Sequence, residues 1–167
     1  MEIVSVNIGS LRPLVVSGRE RQTGIFKEPV EGPVAVGPLG LDGDVQADRR
    51  VHGGEDQAVY AYAIEDVEWW EFELGRELGP GFFGENLTLR GVDVNGLRPG
   101  DRLKAGGVVL EATFPRTPCQ KLAKKAGVPG FVKRFAKAGR PGMYLRVVEP
   151  GQVAAGDAVT LAGAARG

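Results

Sequence analysis

Glycine and proline interrupt this chain so often that no long apolar run survives, which limits what it can fold into. Its 167 residues include 26 glycines and 11 prolines. Both residue types end regular structure and favour turns, so many turns and few long helices are expected. The segments between them are short. Residues 2–9 mix Ile3, Val4, Val6 and Ile8 with Glu2, Ser5 and Asn7 before Gly9, which predicts a first strand. Leu14–Val16 predicts a short second strand with a turn at Ser17-Gly18-Arg19, and Val34–Val36 another strand. Segments this short and this evenly punctuated belong to a barrel or a sandwich.

Further strands are expected at Ala58–Tyr62, around Leu87–Leu89, and at Arg102–Ala105, Val108–Phe114 and Gly142–Val148. A closing hairpin is expected from Gly151–Ala155 and Asp157–Ala162. One helix stands out. Val67, Trp70, Leu74 and Leu78 recur at helical spacing over Glu65–Leu78, with Gly79-Pro80-Gly81 as the stop. Shorter helices are expected at Cys119–Ala126 and Gly130–Ala138. No repeat and no linker divides the chain. The expectation is one mainly β domain over residues 1–167 with short helical insertions.

Charge narrows the function classes. The 21 basic and 21 acidic side chains cancel, which points away from a nucleic-acid polymer as partner. No apolar run approaches the roughly 18 residues that span a bilayer, and Met1–Ser5 does not resemble a signal peptide. A cytoplasmic protein is expected. No G-x-S-x-G, P-loop, H-E-x-x-H or G-x-G-x-x-G pattern occurs, which leaves the corresponding hydrolase, nucleotidase, metalloprotease and dinucleotide readings unsupported.

The only cysteine sits in Pro115-Arg116-Thr117-Pro118-Cys119-Gln120-Lys121-Leu122. Thr117 and Gln120 have capping-box spacing, and Pro118 falls where a first helical residue can lack its amide hydrogen. Cys119 is then expected in the first turn of a helix, with Arg116 and Lys121 nearby. That setting favours a thiolate. The plain alternative is a buried cysteine serving as a small apolar residue. One cysteine excludes an internal disulfide and a multi-thiolate zinc site.

Polar, glycine-bearing loops supply the other candidates. Residues 37–62 carry Asp44, Gln46, Asp48, Asp56 and the sole histidine, His52, ahead of Gly53 and Gly54. A lone histidine is more often structural, but its glycine and carboxylate neighbours suggest a site. The carboxylates do not follow a calcium-loop pattern. Phe83-Gly84-Glu85-Asn86 brings a further glycine and an amide with both donor and acceptor. These parts could serve a cysteine nucleophile with a histidine base, or a soft thiolate ligand for a metal cofactor with basic residues holding its anionic groups. The residues by themselves leave both open.

Four segments in order, G-L-D-G-D-V-Q-A-D (40–48), V-H-G-G-E-D-Q-A-V-Y-A-Y (51–62), F-G-E-N-L-T (83–88) and P-R-T-P-C-Q-K-L (115–122), resemble the MOSC domain family, named for the C-terminal part of molybdenum cofactor sulfurase. The likeness is strongest to its small stand-alone bacterial branch, the YiiM-like proteins. It implies a MOSC-type β-barrel and a pterin-based molybdenum cofactor, with Cys119 as metal ligand or sulfane-sulfur carrier. It also implies reduction of N-hydroxylated small molecules of the hydroxylaminopurine type, with electrons from a separate redox protein. Cys119 and His52 would be the catalytic pair. Asp44, Gln46, Gly53, Gly54 and Asp56 would hold cofactor from one loop, Gly84, Glu85 and Asn86 from the second, and Arg116, Lys121 and Arg134 as cations. The alternative function is a sulfur or cofactor carrier without turnover. Homodimerisation is left open. Relatives of this branch usually continue into a C-terminal helical domain, and the amidoxime-reducing relatives carry an extra N-terminal β domain. The lack of counterparts here implies a more open pocket.

Overall fold

The computed structural model describes residues 1–45 and 54–164. Among the described residues, thirteen strands and three α-helices follow one another. The first strands are β1 (Glu2–Gly9), β2 (Arg12–Val16), β3 (Arg19–Thr23), β4 (Lys27–Val30), β5 (Val34–Gly37) and β6 (Gly40–Leu41). The middle holds β7 (Val59–Ala63), α1 (Ile64–Leu74), β8 (Leu87–Arg90), β9 (Asp101–Ala105) and β10 (Val108–Pro115). Then come α2 (Gln120–Ala126), α3 (Phe131–Ala138), β11 (Met143–Glu149), β12 (Gly151–Val153) and β13 (Val159–Ala164).

Eight strands form one sheet in the order β13-β9-β10-β11-β7-β8-β1-β4. The segment leading into β13 reaches β1, since Ile3 N donates to Asp157 O at 2.9 Å and Gly156 N donates to Ile3 O at 2.7 Å. Their pairing amounts to an isolated bridge, Glu2 to Ala158, and not a continuous ladder. Among the described residues the ladder does not close into the expected barrel, because β13 and β4 each remain an edge of the sheet. The fold is mainly β with few helices.

β7 explains how the site is carried. All five of its residues are buried, and it lies parallel to β8 and antiparallel to β11. Successive strand side chains point to opposite faces. Val59, Ala61 and Ala63 therefore enter the sheet's inner core with Ile3, Leu87, Leu103, Leu110 and Leu145. Tyr60 and Tyr62 enter a second core with Trp70, Phe83, Leu122, Phe131 and Phe135, beneath the helices. Trp70 is fully buried, stacks on Phe135 at 5.9 Å, and donates its indole N–H to the Tyr62 hydroxyl at 3.1 Å. Both helical insertions thus pack on the outer face of β7. No helix is long and apolar enough to cross a membrane among the described residues.

Several expected boundaries move. α1 stops at Leu74, not Leu78, because Gly75 takes a left-handed conformation and its N–H bonds to Glu71 O. The last two strands do not pair with each other: β12 pairs with β5, and β13 with β9. The expected closing hairpin is therefore absent. β3 and β4 had no apolar signal in the sequence. β3 reads Arg-Glu-Arg-Gln-Thr and is exposed except at Thr23.

Gly142 opens β11 at a φ of +73°, and a Cβ there would lie 2.7 Å from Ala61 O and from the Tyr60 ring. Neither neighbour can retreat, since both belong to β7. Gly142→Ala is expected to cost about 2 kcal/mol or more, combining left-handed strain with a backbone clash. Chemical denaturation would show this as a lower midpoint at unchanged slope.

Candidate active site

The segment after β10 does not form the capping box expected for it. Cys119 is itself the N-cap of α2, in an extended conformation (φ −128°, ψ 169°), and no side chain caps the helix. Pro118 disfavours helical geometry at Thr117. Arg116 N bonds to Gly142 O at 3.4 Å, which keeps the approach to the helix against β11. The helix starts at Gln120, one residue after the Cys119 start expected, and Cys119 is half-buried at its edge.

Arg116 lies behind the cysteine and is 7% exposed. Its guanidinium donates to the Phe83 carbonyl and lies over the Tyr60 ring at 5.0 Å. Its Nε is a buried donor with no partner among the described residues. Burial opposes its charge, yet Tyr60, Tyr144 and Cys119 beside it outweigh burial and hold it protonated more firmly than an ordinary arginine. Tyr60 and Tyr144 are cross-strand partners with rings 5.2 Å apart. Burial pushes both phenols upward in pKa. Gly84 makes room for this arrangement: at φ +82°, a Cβ on it would reach 3.1 Å from Ile25 and 3.8 Å from an Arg116 nitrogen.

Glu85 shapes the loop that carries Phe83. Fully buried, its carboxylate accepts from Gly81 N and Phe83 N at 3.1 Å each and from Thr88 Oγ1 at 2.8 Å. Asn86 accepts from Tyr60 N at 3.0 Å and donates to Asp44 Oδ2 at 2.8 Å. Asp44 Oδ1 also takes Gly9 N at 2.9 Å and Lys27 Nζ at 2.7 Å, in an ion pair whose side chains are 8% and 4% exposed. Asn7 completes the knot by donating to Glu85 O at 3.1 Å and to Thr88 Oγ1 at 3.0 Å. Burying polar groups is tolerable only when each is bonded in this way.

Lys125, near the C-terminal end of α2, donates to Phe82 O at 2.6 Å and reaches Ile25 O at 3.3 Å and Gly81 O at 3.4 Å. It lies over the Phe82 and Phe26 rings. Burial, offset in part by Glu85, lowers its pKa from 10.5 to about 8. Because the folded value is the lower one, the stability linked to this group is fully present above about 10.5 and is lost as pH falls through about 8. Thermal midpoints of the native protein and Lys125→Met should therefore diverge in favour of the native protein as pH is raised from about 7 to 10. A constant difference would contradict that titration.

A cavity of about 420 Å³ opens at the cysteine, lined by Val16, Ser17, Arg19, Arg21, Cys119, Gln120 and Lys121. It forms because the β2–β3 hairpin lies over α2. The hairpin turns through Ser17 and Gly18 at φ 52° and 76°, the pair of positive values that a two-residue turn between twisted strands requires.

Not every expected residue comes to this place. Cys119 and Lys121 line the cavity, Arg116 lies beside Cys119 and Gly84 beside Arg116, whereas Glu85, Asn86 and Asp44 form a polar knot. Gly54 precedes a 3-10 turn, Glu55–Gln57, whose middle residue Asp56 accepts at its carbonyl from Thr113 Oγ1 at 2.6 Å. Arg134 pairs with Glu73 across α1 and α3 and is not among the cavity's lining residues. Gln46, His52 and Gly53 lie outside the described residues. Sequence reading missed Arg19 and Arg21, although the alternation of β3 puts them on one face. It also missed Tyr60 and Lys125.

The fold and this site define a small mainly β protein that presents one thiol among cations. Residues 48–160 match the family model of the MOSC domain, and the chain belongs to that family. It is 39% identical over 154 residues to the uncharacterised protein YflK of Bacillus subtilis, covering 92% of this chain and 70% of that protein. A protein of Gibberella moniliformis named reductase is 32% identical over 163 residues, covering 95% of this chain and 29% of its own length. The crystal structure of YiiM from Geobacillus stearothermophilus is similar at a TM-score of 0.76 and 36% identity, over 96% of this chain and 74% of that one.

Proposed function

We propose that this protein holds a pterin-type molybdenum cofactor through Cys119 and reduces N-hydroxylated small molecules of the hydroxylaminopurine type. The observation that carries the reading is the setting of its one thiol, beside a buried arginine whose Nε has no partner among the described residues and at the mouth of a cavity of small-molecule size. Those residues fit an anionic cofactor. A thiolate is a soft ligand suited to a transition metal, and an orphaned buried N–H calls for an acceptor. No cluster of three His, Cys, Asp or Glu side chains exists among the described residues, so the remaining metal ligands would come from the cofactor itself.

When bound, the cofactor would supply a centre that accepts an oxygen atom and passes on two electrons. The overall change is R–NH–OH plus two electrons and two protons giving R–NH2 and water, with the electrons delivered by a separate reduced redox protein. The chain's own residues hold and orient. Arg116 keeps its charge and fixes the cysteine loop to the Phe83 carbonyl. Tyr60 donates its hydroxyl hydrogen to Pro141 O at 2.6 Å and keeps it at neutral pH. His52 is assigned the proton transfer that N–O cleavage needs. The name of the fungal relative is consistent with reductive chemistry.

The test is turnover. Protein from a cofactor-making host, given 6-hydroxylaminopurine and a chemical reductant, should form one amine for each electron pair consumed. Loaded protein that forms no amine, and that loses one sulfur's mass on mild reduction, would instead be a sulfur carrier.

A further inference from the structure

The β2–β3 hairpin brings a feature that the cofactor reading does not use. Register pairs Val16 with Arg19 and Leu14 with Arg21, while Glu20 pairs with Val15 between them. Strand alternation therefore puts both arginines on one face and the carboxylate on the other. That basic face lines the Cys119 cavity together with Lys121, and among the described residues no carboxylate lines it. Arg19, Arg21 and Lys121 form no ion pair among the described residues, whereas Arg12 of the same hairpin pairs with Glu28 at 3.0 Å. The cavity volume, about 420 Å³, falls within the range of small-molecule sites.

We infer that Arg19, Arg21 and Lys121 bind the phosphate of the substrate, which makes the preferred substrate an N-hydroxylated purine nucleotide, not the free base. The inference rests on the reduction proposed above. Charge decides between anions: a carboxylate brings one negative charge, whereas a phosphate monoester brings about −1.5 to −2 at neutral pH. Three cations lining one cavity match the latter. Two guanidinium groups on one strand face also offer the planar paired donors that phosphate oxygens accept. The phosphate would lie under the hairpin with the purine's hydroxylamino group free to turn towards Cys119.

The experiment compares 6-hydroxylaminopurine riboside with its 5′-monophosphate. Loaded native protein should favour the monophosphate in kcat/KM by about tenfold or more, as expected for charged hydrogen bonds, and mainly through KM. Arg19→Gln/Arg21→Gln should abolish that preference, and Arg19→Lys/Arg21→Lys should keep part of it. Calorimetry on cofactor-free protein should show the monophosphate binding to the native chain and not to the glutamine variant. If turnover is absent but this binding holds, the reduction proposal fails and the phosphate site stands. Equal kcat/KM for the two substrates, or a preference that persists in the glutamine variant, would overturn the site. So would a glutamine variant that loses molybdenum instead of the nucleotide preference, because the cations would then hold the cofactor's phosphate.

Discussion

Cys119→Ala is expected to lower N-hydroxyl reduction by more than about a hundredfold, beyond the 10–100-fold by which residues that merely orient a metal ligand act. No second thiol exists to replace it. The change should leave the fold nearly untouched. Cys119 is half-buried at the edge of a seven-residue helix, and no side chain caps that helix. Stability should shift by about 1 kcal/mol or less. Rate and denaturation measured on the same preparation separate the roles: retained stability with lost turnover assigns the sulfur to the chemistry, whereas parallel losses would make it a packing residue.

Glu85→Ala is expected to be the most damaging single change to the fold around the site, at roughly 3 kcal/mol. It strips acceptors from Gly81 N, Phe83 N and Thr88 Oγ1 at a position with no solvent exposure. Each buried unsatisfied group costs about 1–3 kcal/mol. Removing a buried carboxylate returns part of that sum, since burial raises the Glu85 pKa above 4.5 against the pull of its hydrogen bonds. The sign of the linkage follows. A raised folded pKa means that the associated stability is complete below about pH 4.5 and declines as pH rises through the folded value. Native protein should therefore lose ground to Glu85→Gln as pH rises above about 4.5. Because the loop it shapes presents the Phe83 carbonyl to Arg116, Glu85→Ala should also weaken cofactor retention below its unfolding midpoint.

Much of the frame was legible in the sequence. The strand expected at residues 2–9 is β1, and the runs at 108–114 and 142–148 are β10 and β11 give or take a residue. Trp70 is in the core, as its helical spacing implied. Elements without apolar alternation were not legible. β3 is almost wholly polar and is defined by pairing with β2, and β12 and β13 found partners far away in sequence rather than each other. The helix capping at Thr117 followed from local spacing, but tertiary contact with Gly142 prevailed.

The site shows the same division. Motif reading singled out Cys119, Arg116, Gly84 and Asn86, but not where the fold would put each of them. Asn86 bonds Asp44 across 42 residues, and Glu85 turns inward to its own loop. The hairpin arginines escaped notice because their meaning depends on which element the hairpin leans over, and that is α2.

Molybdenum analysis of the native chain beside Cys119→Ser, both made in a cofactor-competent host, tests the central claim most directly. The prediction is about one molybdenum per native chain and almost none in the variant, since a deprotonated thiolate is the ligand that a serine hydroxyl cannot replace. Native protein without molybdenum, or a serine variant that retains it in full, would contradict it.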